Sequence, residues 1–421
     1  MGMVLAPDAR GSLPISLFLL SASSLVALLA ARSLSASGPA LLLVCGAILR
    51  FTLLFRAPDL SDDVYRYAWD ARVAATGFSP YALAPNDPRL RGTAPDLRLR
   101  VAHGDLRTIY PPVAQATFRA AGLFPGVLAL KILFAAADLS IVWLITRLGG
   151  PVSGYAAALY AFHPLALTES AGQGHLDALG VALLLASLLA VLRRRPLASG
   201  TTFALSVLAK YVPLSAAIPF ARRGRWKFVC AASLTAGAIW LAASRGGASP
   251  AAGLSDYARR WEFNSLLYPA VRSAFDAGEV PDRAKELFIR VKERLGHPPW
   301  TARVFPFFYS GFFARATLGT ILAAALVTIG FRVRDTETAV FASLAALVLL
   351  APTLHPWYLL WILPFAARRR DPAFLYLSFA IPVSYALLYP VPGLSRGFVY
   401  AVEYLPFAAL LLRQALRGRA P

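Results

Sequence analysis

Asp62 and Asp63 stand in an acid-rich amphipathic stretch, Asp59-Leu60-Ser61-Asp62-Asp63-Val64-Tyr65-Arg66-Tyr67-Ala68-Trp69-Asp70, directly after an apolar run long enough to cross a bilayer. The chain is 57% hydrophobic and has only 22 acidic residues in 421, so carboxylates in that place point first to catalysis. One carboxylate is enough to take the proton from an attacking hydroxyl, a general-base contribution of roughly a hundredfold to ten-thousandfold. The competing reading is structural. Asp62, Arg66 and Asp70 fall at i, i+4 and i+8, the spacing of a salt-bridge ladder, and acids are favoured at a helix N-terminus.

Other polar residues stand at the margins of apolar runs. Glu169, His175 and Asp177 share one short turn, Glu262 and Asn264 follow Trp261, Arg66 and Arg72 follow the acid pair, and His355 precedes Pro356-Trp357-Tyr358. Ionisable groups beside hydrocarbon are costly unless they pair or line a wet cavity, so their default reading is functional. Each also has a bland reading: a loop network for Glu169, His175 and Asp177, and an interfacial aromatic belt around His355. His163, before a proline, reads as a packed helix-end histidine, and His103 and His297 fall in polar loops. The chain has no HExxH, CxxC or spaced histidine triad, no Walker loop and no glycine-rich dinucleotide fingerprint, so neither a metal nor a cofactor is expected. Cys45 and Cys230 lie inside apolar runs, where a thiol packs as a small hydrophobe.

The elements that must position these residues are membrane spans. Apolar runs of about 16 to 22 residues recur along the whole chain, which predicts an all-α, polytopic transmembrane bundle. Candidate spans are 13–31, 39–56, 127–147, 151–168, 177–192, 228–245, 306–330, 338–353, 356–367, 372–390 and 398–413, about 11 in all. The first reads as a retained span and not a signal peptide, because no convincing cleavage site follows it. The net charge of +20 is carried by short clusters between spans: Arg193-Arg194-Arg195, Arg222-Arg223-Gly224-Arg225, Arg332/Arg334, Arg368-Arg369-Arg370 and Arg413/Arg417/Arg419. No continuous basic surface results, so nucleic acid is not an expected partner. The positive-inside rule puts the clusters in the cytoplasm and the two long polar segments, 57–126 and 246–305, on the opposite face. Residues 199–220 lie between two such clusters and contain Lys210 and Pro213. They are expected to form a broken, re-entrant hairpin, the alternative being an ordinary span with a snorkelling lysine.

No repeat period appears, so residues 1–421 read as one membrane domain with two extracytoplasmic insertions, the first of them catalytic. The first insertion is expected to open with a helix N-capped by Ser61, its Tyr65, Trp69 and Val73 stripe lying along the membrane surface. In the second, Asp256–Phe275 and Asp282–Leu295 read as surface helices.

Together, Asp62-Asp63-Val64-Tyr65, Gly77-Phe78-Ser79-Pro80-Tyr81, Tyr110-Pro111-Pro112, Glu169 with Gly174-His175-Leu176-Asp177, Lys210-Tyr211-Val212-Pro213, Trp261-Glu262-Phe263-Asn264 and His355-Pro356-Trp357-Tyr358 resemble the GT-C superfamily of integral-membrane glycosyltransferases. The likeness is greatest to bacterial mannosyltransferases that use polyprenyl-phosphate mannose. It covers most of the chain. Each motif alone is weak; their order and common face are fairly specific. The resemblance implies a polyprenyl-phosphate sugar donor, a lipid or glycan acceptor, and an Asp of the first outer loop as base. The family's two acids are often separated by one residue, whereas here they are adjacent. The choice between them therefore stays open, with Asp63 favoured because it stands beside the Val-Tyr pair.

The chemistry fits this inventory. An inverting transfer that expels a phosphate needs a base and positive charge at the leaving oxygens, not the second, protonating acid of a glycosidase. His355, Arg66, Arg72 and Lys210 are the candidates for the donor phosphate. Tyr65, Tyr110, Glu169, His175, Asp177, Trp261, Asn264, Trp357 and Tyr358 are the candidates for substrate contact. The expected setting is a bacterial inner membrane, with membrane lipids around the bundle and the active site on its outer face. A lipid-linked glycan flippase or secondary transporter is the alternative of a different class, and it should line a through-path with its charges. A ligase moving a whole glycan from a pyrophosphate carrier is a third.

Overall fold

The computed structural model describes residues 23–389, 391 and 393–417; the start of the first expected span and Arg419 lie outside them. Among the described residues there is no strand, only an isolated parallel bridge between Phe263 and Thr353, and the chain is a bundle of helices. Among the described residues four helical stretches are, by length and composition, long and apolar enough to cross a membrane: Leu128–Leu148, Val212–Ala243, which is broken at Arg225, Ser310–Arg332 and Arg396–Arg417. Shorter apolar helices, among them Ser23–Ser33, Pro39–Leu54, Pro196–Ala209 and Thr336–Leu350, fill in around them. The protein is a polytopic helical membrane protein.

Burial sorts these helices into a core and a lipid-facing shell. In Val212–Ala243 and Ser310–Arg332 only 6% and 11% of the most apolar window is buried, against 50% for Leu128–Leu148. Apolar surface exposed on that scale belongs against hydrocarbon. By contrast Ser153–Phe162 is apolar all round, with Ala156 through Ala161 fully buried, the pattern of a central helix.

Several expected spans are broken, and proline is the reason. The run at 151–168 divides at His163-Pro164, 356–367 begins as the 3-10 turn Pro356–Trp361 before Leu363–Arg369, and 372–390 passes through a second 3-10 turn, Ile381–Ser384. A proline has no N–H to continue the ladder, so each helix restarts there. The sharpest break bends Pro164–Gly172 by 117° against Asp177–Leu192. Its apex is a π turn, Thr168–Gly172, followed by Gly174 at φ +75. A Cβ on Gly174 would stand 3.0 Å from both Lys131 and Val64, so the close approach and the left-handed backbone both select glycine.

Residues 199–220, where a broken hairpin is expected, do break near their middle and turn back. Pro196–Ala209 climbs to Lys210, which is extended, and Val212–Ala216 starts the return. The backbone leaves helical geometry again at Arg225, and Phe203, Phe220 and Phe228 pack against one another around that turn. Both flanking basic clusters come to one end of the bundle. Arg193 donates to the carbonyl of Arg147, Arg222 to those of Gly330 and Val333, Arg368 to Glu337 and Gly149, and Arg369 to Thr338.

The first long loop differs from expectation in two respects. The helix begins at Asp63, one residue later than a Ser61 cap allows: Asp62 occupies the cap position without a side-chain bond, and the Ser61 hydroxyl accepts from the Asp63 N–H at 3.3 Å. Nor does Asp63–Ala75 lie bare on a membrane surface. Trp69 and Val73 are buried against Leu83, Leu90 and Val101 of the same loop, while Val64, Tyr67 and Ala71 pack on Tyr110, Phe118 and Phe134. The loop has a small core of its own, which takes up the apolar stripe.

In the second loop the expected helix 256–275 is interrupted. Leu254–Arg260 and Tyr268–Ala277 flank an extended turn in which the Phe263 N–H donates to Pro352 and its carbonyl accepts from Leu354 at 2.7 Å. Asn264 takes φ 44 there, and its amide donates to buried Glu403 at 2.6 Å. The two loops are also joined to each other. A Cβ on Gly253 would stand 2.5 Å from the Thr108 carbonyl, Arg260 pairs with Asp105 at 2.8 Å, and His103 meets the Trp261 ring.

Candidate active site

The bent pair presents its apex to the start of the Asp63–Ala75 helix, and the acids meet the histidine there. Asp63 Oδ2 lies 3.7 Å from His175 Nδ1, and His175 Nε2 lies 3.4 Å from Glu169 Oε2. His175 is fully buried, and among the described residues neither ring nitrogen has a hydrogen-bond partner. Orphaned polar atoms in a native interior are rare enough to need a reason, and a substrate group is one. Glu169 also accepts from the Tyr385 hydroxyl on both oxygens, at 2.9 and 3.0 Å. Gln173 ties the same apex to the acid pair's approach: its carbonyl accepts from the Leu60 and Ser61 N–H groups and its amide donates to Asp59.

Lys210, at the hairpin tip, reaches the far side of this cluster. Its ammonium donates to both oxygens of Asp177, at 2.7 and 2.8 Å, and lies 4.5 Å from the Tyr358 ring centroid. Trp361 Nε1 donates to the same Asp177 at 2.6 Å, and the Tyr358 hydroxyl shares a 2.5 Å bond with Tyr257 of the second loop.

Four rings make a column beside it. His175 stacks on Trp357 at 4.0 Å, Trp357 on His355 at 4.4 Å, and His355 on Phe263 at 4.4 Å, all within 16° of parallel. The column runs from the bent pair to the second loop and fixes both imidazoles by their faces, leaving their edges for hydrogen bonds. His355 Nδ1 is buried without a partner.

Electrostatics set the acids apart from ordinary carboxylates. Burial pushes Asp62 up to about 7, and the neighbouring charge of Asp63 adds to it. Burial also raises Asp63, to about 6; the Lys210 charge holds it lower and the Asp177 charge raises it. Burial, then the Lys210 charge, brings His355 down to about 3, so its ring is neutral until an anion arrives.

Asp63, Glu169, His175, Asp177, Lys210, His355, Trp357 and Tyr358 thus come together, and Tyr110 joins them under the first loop, its carbonyl accepting from Tyr81. Asp62 is half-buried at the helix start, facing Tyr389. Arg66 is committed to Asp70 at 3.0 Å and to the Leu106 carbonyl, although its charge still bears on Asp63. Trp261 stacks on Tyr257 at the roof, and Asn264 is a buried anchor for its own turn. Two residues stand away. Arg72 is nine residues along the helix from Asp63, roughly 13 Å at 1.5 Å per residue. Tyr65 faces elsewhere, its hydroxyl accepting from Arg100 at 3.0 Å.

Tyr385, Trp361, Tyr257 and Gln173 were not singled out in the sequence. Gln173 sits inside the Glu169–Asp177 turn and could have been found there; the other three lie in apolar or aromatic stretches that carry no signal of their own. Among the described residues no three His, Cys, Asp or Glu side chains gather as a metal-binding group.

Comparison with known families bears on this arrangement. The family model described as "Alpha-(1->6)-mannopyranosyltransferase, N-terminal domain" matches residues 15–223, and that described as "MptB C-terminal domain" matches residues 312–416. The first covers the acid pair, the bent pair and Lys210. The second covers His355, Trp357, Tyr358 and Tyr385. No curated protein and no solved structure matches the chain.

Proposed function

We infer that this chain, which belongs to the alpha-(1->6)-mannopyranosyltransferase family, moves mannose from a polyprenyl-phosphate carrier to a lipid or glycan acceptor. The setting is the outer face of a bacterial inner membrane, and the enzyme is of the GT-C type. A mannosyltransferase uses a sugar donor and an acceptor; the lipid carrier, the inverting route and the face are our reading. The observation that carries it is the meeting of half-buried Asp63 with buried, unpartnered His175 at the end of the bundle opposite the arginine clusters. The positive-inside rule supports cytoplasmic clusters, and hence an extracytoplasmic site.

In this reading Asp63 accepts the proton of the acceptor hydroxyl as the oxygen attacks the anomeric carbon. Its raised titration, about 6, leaves it ionised at neutral pH yet more basic than a surface carboxylate. The carbon–phosphate-oxygen bond breaks on the opposite side, and the leaving phosphate carries off the electron pair. In this reading Lys210, held by both oxygens of Asp177, meets that charge together with the neutral His355 edge, which donates to it. The ring of Tyr257, whose other face rests on Trp261, suits the apolar face of a sugar ring, whereas both faces of Trp357 are taken by His175 and His355.

The test is transfer by the purified protein in lipid nanodiscs, given radiolabelled polyprenyl-phosphate mannose and a lipid acceptor. Labelled product is expected. Equal labelling from a nucleotide-linked mannose would overturn the donor assignment, and movement of the donor across the bilayer without transfer would overturn the enzyme.

A further inference from the structure

On the other side of the Asp63–Ala75 helix, a cavity of about 460 Å³ opens between the end of Pro39–Leu54, the Pro95–Arg98 turn and the start of Leu128–Leu148. That size falls within the ordinary range for small-molecule sites. Its lining includes three cations, Arg56, Arg100 and Lys131, and one carboxylate, Asp96. Arg56 is paired with Asp59 at 2.5 Å. Lys131 is not. It is only 1% exposed, its ammonium meets the carbonyls of Leu53 and Arg56, at 3.1 and 2.5 Å, and among the described residues it has no carboxylate within 4.0 Å. The Asp59 charge bears on Lys131 but is already paired with Arg56, so an entering anion adds a counter-charge of its own.

The mouth indicates what sort of anion. Phe55, Leu99 and Phe124, each lining the cavity or next in sequence to residues that do, are 66%, 78% and 62% exposed. Basic lining under an apolar rim, beside the lipid-facing side of the bundle, fits an amphiphile whose phosphate enters and whose chains stay outside. The location is close to the chemistry. Lys131 and Val64 close on Gly174 from two sides, and Tyr65, two residues beyond Asp63, lines the cavity.

We propose that this cavity seats the phosphate headgroup of the lipid that carries the acceptor. Displacement at the anomeric carbon needs the nucleophile and the leaving phosphate on opposite sides. Lys210 and His355 hold one side of Asp63, and the Arg100–Lys131 cavity anchors the molecule that attacks from the other. The proposal rests on the transfer reading above.

Retention of phosphatidic acid, followed by native mass spectrometry of protein released from nanodiscs, tests it without turnover. Wild type and Asp63→Asn should each retain one phosphatidic acid and release phosphate-free diacylglycerol. Arg100→Gln and Lys131→Gln should weaken retention about tenfold or more, the loss of one charge-assisted contact. Lys131 also satisfies two carbonyls, so if its variant fails to fold, exposed Arg100 carries the test. In transfer assays Arg100→Gln should raise the acceptor KM by about the same factor and leave the donor KM unchanged. Equal retention in wild type and Arg100→Gln overturns the proposal, as does full displacement by millimolar inorganic phosphate, which would mark a free-phosphate site. Arg100-dependent retention in a wild type that transfers no mannose would overturn the transfer reading and leave the lipid site standing.

Discussion

Burial opposes ionisation of both Asp63 and Asp62, helped by the Asp177 charge at the first and the Asp63 charge at the second, so their titration falls near 6 and 7 instead of near 4. A base must be unprotonated, so kcat should climb as pH rises through that interval and level off above it. Asp63→Asn should cost a hundredfold or more, roughly the general-base contribution, with insertion intact. Asp62→Asn should leave one acid limb, near 6, in the pH–kcat profile; an unchanged two-step profile would exclude Asp62 from the pair. Stability runs the other way. Both groups are raised in the folded state, so the fold binds more protons than the unfolded chain between the unfolded value near 4 and the folded values, and stability is lost as pH rises through 6 to 7. Asp62→Asn should therefore melt above wild type at pH 8, with the gap closing by pH 4. The acid pair was legible in the sequence because carboxylates next to an apolar run are conspicuous. Its partners were legible only where they shared a turn with other polar residues, as Glu169, His175 and Asp177 do.

The bent pair, the hairpin tip and the ring column frame the candidate site at the level of elements. Trp357 is 6% exposed between two imidazoles, and truncating such a ring costs about 3–5 kcal/mol. Trp357→Ala should lower both melting temperature and kcat, whereas Trp357→Phe, which keeps a stacking face, should restore most of each. Recovery of stability without activity would mean that the column needs the indole itself. Gly180 is a second control point: a Cβ there would stand 2.3 Å from Trp361, whose N–H holds Asp177. Gly180→Ala should cost about 1–3 kcal/mol and disturb the Lys210 pair, readable as a higher donor KM. The apolar runs announced the helices, and Pro213 marked one break, whereas the runs holding Pro164 and Pro356 read as unbroken spans. The 117° bend and the stacking of rings more than 90 residues apart in sequence are tertiary facts, and no local pattern encodes them.

At the scale of the whole molecule, the bundle is tied through its interior as well as at its ends. Arg50 pairs with Asp138, donating through Nε at 2.7 Å and to the carbonyl of Ala161, and Tyr160 donates to the same carboxylate at 2.6 Å. All three side chains are buried, and they join three helices. Removing one partner strands the other charge, so Arg50→Met or Asp138→Asn alone should cost about 3–5 kcal/mol, and the double variant clearly less than the two together. This triad escaped the sequence reading because its members lie singly in three separate apolar runs, 88 and 22 positions apart. Overhead, Gly253 on Thr108, Arg260 on Asp105 and His103 on Trp261 stitch the two long loops into one cover. In the proposed reaction both reactants are lipid-linked, so the leaflet would be their way in. They would then arrive by lateral diffusion, and the quantity that sets the rate would be their mole fraction among the surrounding lipids. Adding inert phospholipid at constant molar amounts of donor and acceptor should slow turnover in proportion, the surface dilution behaviour of an enzyme that reads its substrates in two dimensions.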